Sequence, residues 1–113
     1  MTRTRSSELG PAARPVAIPG DVDDPGVRKA EGEIVLPVHV RWSGPPKRYD
    51  LAKRTDRVRV YEQVLREGTD FDVRHFIDVD ELLDLWDDLV LPVHVRRAWA
   101  DWYRQRRGVD LAC

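Results

Sequence analysis

Asp78, Asp80, Glu81 and Asp84 form the densest set of potential ligands in this 113-residue sequence, and carboxylates so grouped could hold a cation. A calcium loop also needs a glycine at its sharp turn and a distal glutamate, and neither stands at the required spacing. No histidine is spaced to complete a transition-metal set. Short acids at a helix start have a simpler use, accepting backbone N–H groups and favouring the positive end of the dipole. His39, His75 and His94 have no Cys, Ser or acid at a telling spacing, and Cys113 is terminal, where a nucleophile cannot be preorganised. The expectation is a chain that is not an enzyme and takes no metal and no cofactor.

The elements that would position these residues run from Thr69 to Arg107. Leu82, Leu85, Trp86 and Leu89 recur at i, i+3, i+4 and i+7, one buried helical stripe behind a carboxylate face. Leu91-Pro92 should end that helix and start the next, because proline disfavours helix in the residue before it and fits a first turn. Val95, Trp99 and Trp102 repeat the apolar spacing, and Gly108 after Arg106 and Arg107 predicts a stop with cations on the negative dipole end. Upstream, a helix is predicted over Arg54–Glu67, ended by Gly68, with a broad apolar arc of Val58, Val60, Tyr61, Val64 and Leu65. Thr69 then caps a short helix through Phe76, with Asp72 at the capping-box position.

Composition bounds the rest. Residues 1–33 hold four of the eight prolines and none of the nine aromatics, so they cannot bury enough surface to offset the cost of ordering and are expected to be a disordered tail. Residues 34–113 carry the core. Val35-Leu-Pro-Val-His-Val-Arg41 recurs letter for letter as Val90-Leu-Pro-Val-His-Val-Arg96. The flanks diverge at once, which predicts an extended first copy and a helical second. With one terminal cysteine and no long apolar run, a cytoplasmic protein without a membrane segment is expected.

The net charge of −1 hides a segregated pattern. Asp70 to Asp88 holds eight acids against Arg74, whereas Arg41 to Arg66 holds eight bases against three acids and Arg96 to Arg107 five against Asp101. Two readings stay open. Either the acidic and basic elements neutralise each other within the fold, or the acidic face is held out to a basic partner, since oriented charge steers association. On the second reading the partner-binding residues are Asp80, Glu81, Asp84, Asp87 and Asp88, with Trp42 and Trp102 as anchors, tryptophan being frequent at binding hot spots. Trp86 and Trp99 read as core. A nucleic-acid role would instead use Arg54, Arg57, Arg104, Arg106 and Arg107 at helix ends on phosphates, against the repulsion of the acidic block.

Trp42-Ser-Gly-Pro-Pro-Lys-Arg-Tyr49-Asp-Leu51, Val60-Tyr-Glu-Gln-Val-Leu-Arg-Glu-Gly-Thr69, Asp72-Val-Arg-His-Phe-Ile-Asp78 and Leu91-Pro-Val-His-Val-Arg-Arg-Ala-Trp-Ala-Asp-Trp102 carry a family likeness. Through them the chain resembles a group of small actinobacterial proteins, some of which resemble antitoxins encoded beside nucleotidyltransferase toxins of the AbiEii type. The resemblance covers Trp42 to Trp102, and its motifs are structural. It implies a toxin partner that transfers nucleotides onto RNA and presents a basic surface, which the acidic block would occlude. The chain itself lacks the Gly-Ser and paired aspartates of such an enzyme. The expected architecture is all-α, a small bundle of about four helices with an extended lead-in. The expected function is a non-enzymatic, antitoxin-like binding protein, with a small DNA-binding transcriptional regulator as the alternative.

Overall fold

Tyr49 sets the start of the fold. In the computed structural model, which describes residues 16–41 and 47–112, β1 (Glu33–Val35) pairs antiparallel with β2 (Arg48–Asp50). The register sets Ile34 opposite Tyr49, and the Tyr49 ring is buried. The all-α expectation is thereby corrected to a helix-dominated fold with a two-stranded sheet. Strands of three residues are too short to show an alternation in sequence.

Four helices follow: α1 (Arg54–Glu67), α2 (Asp70–Phe76), α3 (Val79–Leu85) and α4 (Val93–Arg107). Asp56 in the first turn of α1 accepts the Asp50 N–H at 2.8 Å, locking the strand to the helix that follows it. Thr69 and Asp72 form the predicted reciprocal capping box at the start of α2. Asp78 caps α3 through the N–H groups of Asp80 and Glu81. The stripe of Leu82, Leu85, Trp86 and Leu89 is buried as its spacing predicts, but α-helical geometry ends at Leu85 and a 3-10 turn, Trp86–Asp88, carries the chain on.

The chain divides into two compact units. Ala17–Leu91 forms one, its core built from Val22, Tyr49, Val60, Val64, Val73, Ile77, Leu82 and Leu85 among others. Two side-chain bonds tie α1 to later segments of this unit: the Tyr61 hydroxyl accepts the Asp78 N–H at 3.0 Å, and the buried Glu62 carboxylate accepts the Val90 N–H at 2.7 Å. In the other unit α4 buries Val95, Trp99, Ala100 and Tyr103 and ends at Gly108, whose φ of +66° is the left-handed geometry a helix stop of this kind requires.

Two expectations about the first half need correction. Residues 1–15 lie outside the described residues, but the rest of the expected tail packs onto the 17–91 unit. Val22 is fully buried, the Ala30 N–H donates to the His75 carbonyl at 2.8 Å, and Lys29 Nζ donates to the carbonyls of Val22 and Arg74 at 3.0 and 2.6 Å. Order here comes from a few polar ties to α2 and one buried valine, which no apolar period announces. The first copy of the repeated heptapeptide is likewise not extended throughout. The Pro37 carbonyl accepts from Val40 and Arg41 at 3.0 and 3.1 Å, and the Pro92 carbonyl accepts from Val95 and Arg96 at 3.1 and 3.0 Å. Both copies therefore wind one proline-started turn, and the second continues into α4, where Arg97-Ala98-Trp99 favours helix. No helix of the described residues is long and apolar enough to cross a membrane.

Candidate functional site

The acidic ridge forms because the helical period puts the leucines of α3 inward and its acids outward. Asp80, Asp84, Asp87 and Asp88 are exposed and Glu81 is partly so. Across from them lies the start of α1. Arg54 donates to Asp84 Oδ2 at 2.7 Å and to Asp88 Oδ2 at 2.9 Å, and Arg57 Nε stands 2.8 Å from Glu81 Oε1. The hydrogen bonds to Asp84 and Asp88 raise the Arg54 pKa further above its ordinary value. Acidic and basic elements thus meet within the 17–91 unit, but neutralisation is partial. Asp84, Asp88 and Glu81 face two guanidinium groups, and the side chains of Asp84, Asp88 and Arg54 remain 60%, 53% and 45% exposed. Exposed pairs of this kind are weak and exchange readily with other charges.

Beside the ridge a shallow cavity of about 290 Å³ is lined by Arg54, Thr55, Val58, Arg59 and Asp88. It places one apolar side chain, Val58, between the basic start of α1 and the acidic turn. Asp88 lies about thirty positions from the others in sequence, and its hydrogen bonds with Arg54 hold the 3-10 turn against the start of α1.

Trp102 sits on α4 in the other unit, partly exposed, edge-on to Tyr103 at 4.9 Å, with the Arg106 guanidinium 5.2 Å over its ring. Its indole face is thus a cation-binding face already holding a cation. Arg104 bridges Asp101 and Asp110 at 3.2 and 3.3 Å, and Arg107 ends the helix beside it. Of the residues considered for phosphate, Arg54 and Arg104 are each bonded to two carboxylates of their own unit, and Arg57 is ion-paired with Glu81 through Nε alone. Trp42 lies outside the described residues.

The histidines separate. His39 Nε2 bonds the buried Asp72 carboxylate at 2.6 Å, a partnership across 33 positions that no local spacing reveals. His75 stacks near Phe71 and Phe76 on α2, and Phe71 is 69% exposed. Among the described residues no group of three or more His, Cys, Asp or Glu is placed to hold a metal ion.

The repeated heptapeptide contributes a second surface feature. Among the described residues the large exposed apolar side chains are Val35, Val38, Phe71, Val90 and Val93. Four of these are equivalent pairs, Val35 with Val90 and Val38 with Val93, while Val40 and Val95 are both buried. The two copies therefore share the burial of their valines as well as their hydrogen bonds, while Leu36 is buried and Leu91 only partly so.

One cavity escaped the reading of spacing altogether. A cleft of about 370 Å³ in the 17–91 unit is lined by Lys29, Arg57, Tyr61, Phe76, Asp78 and Glu81 among others. Burial pushes the Tyr61 phenol well above its ordinary range and lowers the Lys29 ammonium. The only signal in the sequence was that Lys29 is one of three lysines among nineteen basic residues. No protein-family model, curated protein or solved structure matches this chain.

Proposed function

We propose that this chain is a non-enzymatic binding protein, antitoxin-like, that neutralises a basic partner such as a nucleotidyltransferase toxin of the AbiEii type through the acidic ridge of α3. What supports the reading is one observation: Asp84 and Asp88 stay more than half exposed even while paired with Arg54. A ridge held by exposed, exchangeable ion pairs is ready to trade its internal arginine for a partner's at small cost. Asp80, Glu81 and Asp87 extend the same surface, and Trp102 and Trp42 are separate anchors. The protein works, on this account, by covering the phosphate-binding surface of its partner rather than by making or breaking a bond.

The alternative, a DNA-binding regulator, draws less from the geometry because Arg54 and Arg104 are each bridged to two carboxylates. Co-expression of the tagged chain with the product of its neighbouring gene tests the two readings together. A stable complex that dissociates as salt is raised supports the ridge; a lone chain that retards its own promoter DNA replaces it with the alternative.

A further inference from the structure

The 370 Å³ cleft is built to meet charges of both signs. Its floor is aromatic, with Tyr61 and Phe76 only 3% and 8% exposed, and Ala30 and Ala52 leave the space above it open. Lys29 and Arg57 line it together with Asp78 and Glu81, and among the described residues each of these groups keeps unspent bonding capacity. The Tyr61 oxygen accepts the Asp78 N–H, while its own proton has no acceptor among the described residues. Arg57 donates Nη1 to the Leu51 carbonyl and is ion-paired with Glu81, its Nε 2.8 Å from Oε1 but making no hydrogen bond there, and among the described residues Nη2 is left for a ligand. Asp78 spends Oδ1 on the start of α3 and retains Oδ2, and Glu81 retains Oε2. Lys29 spends two N–H groups on backbone carbonyls and holds its third in reserve.

We propose that this cleft binds a free apolar α-amino acid. The ligand carboxylate meets the Tyr61 hydroxyl, Arg57 and Lys29; the ammonium meets Asp78 and Glu81; the side chain lies on Phe76 and Leu51. A simple anion would leave two carboxylates facing it, and a simple cation would face Lys29 and Arg57. A zwitterion meets both sets at once without stranding either end of the Arg57–Glu81 pair, and stranding a charge in a partly buried cleft is costly. The volume lies toward the small end of ligand pockets, as a single amino acid requires. The inference shares Glu81 with the acidic ridge but does not rest on that reading and needs no protein partner.

The test is a titration of the isotope-labelled full chain, followed by backbone amide shifts. The probes are L-leucine, isocaproate, which lacks the ammonium, and isoamylamine, which lacks the carboxylate. L-Leucine is expected to shift Leu51, Ala52, Tyr61 and Asp78 with a millimolar or tighter Kd, and each truncated analogue to bind about tenfold more weakly or worse. Tyr61→Phe should weaken leucine binding by about tenfold. Ala52→Trp, at an exposed position that leaves the core untouched, should fill the cleft mouth and abolish the shifts. The proposal is overturned if L-leucine, L-valine and L-phenylalanine all leave the cleft amides unmoved. It is equally overturned if the shifts map elsewhere or if either analogue binds as well as leucine.

Discussion

His39 Nε2 lies 2.6 Å from Asp72 Oδ2, and through that contact an exposed turn holds the carboxylate that caps α2. The same oxygen accepts the Thr69 N–H at 2.9 Å and the Thr69 hydroxyl at 3.1 Å. Asp72 is 2% exposed, so its charge is tolerated only because donors surround it. Burial alone would raise its pKa; the Thr69 N–H, His39 and the Thr69 hydroxyl outweigh that and hold it below the ordinary carboxylate value.

Asp72→Asn should therefore destabilise the fold at neutral pH by about 1–3 kcal/mol, read from urea unfolding, since a buried charged acceptor of three donors is lost. The pH dependence follows from the direction of the shift. A carboxylate whose folded pKa is lowered contributes stability above its unfolded value and loses it as pH falls through the folded one. Wild-type stability should fall on acidification across that window, and Asp72→Asn should flatten the fall. An unchanged acid limb in the variant would remove Asp72 from the account.

Gly68 and Gly108 both end helices, for different reasons, and alanine should tell them apart. At Gly68 the backbone is ordinary, but a Cβ would stand 2.6 Å from the Val64 carbonyl oxygen and 3.0 Å from Asp72 Cβ. At Gly108 a Cβ meets nothing within 4 Å and only the left-handed φ of +66° is unfavourable. Gly108→Ala should cost about 1 kcal/mol, whereas Gly68→Ala forces the α1–α2 turn apart and should cost about 2–3 kcal/mol by thermal or urea unfolding.

Equivalent substitutions in the two proline-started turns should have parallel effects. Val38→Asp and Val93→Asp fall on exposed side chains and should change stability by less than about 0.5 kcal/mol. Val40→Asp and Val95→Asp bury an unpaired charge and should cost more than about 3 kcal/mol or prevent folding. Circular dichroism with denaturant titration separates the two classes, and a strongly destabilising Val38→Asp would contradict the shared pattern.

What was legible in the sequence was local. Thr69 and Asp72 announce their capping box, Gly108 its stop, and the spacing of Leu82, Leu85, Trp86 and Leu89 their burial, because each rests on neighbours within a turn or two. What was not legible depends on distance along the chain. The β1–β2 pair, the docking of Lys29 on the carbonyl of Arg74, and the bond from His39 to Asp72 join segments with no periodic signal between them. The acidic ridge itself was visible as composition. Its pairing with Arg54 and Arg57 is not legible there, since charge patterning gives the sign of a surface but not what faces it.

The central claim is that the ridge is the binding surface, and affinity for the co-purified basic partner tests it most directly. Titration calorimetry at low and high salt would compare the wild type, Asp84→Asn combined with Asp87→Asn and Asp88→Asn, and Arg54→Ala. The account predicts that the triple variant binds at least about tenfold more weakly. It also predicts that Arg54→Ala, by unmasking Asp84 and Asp88, binds more tightly at low salt. Unchanged affinity in the triple variant, with its helical circular dichroism intact, would contradict the account.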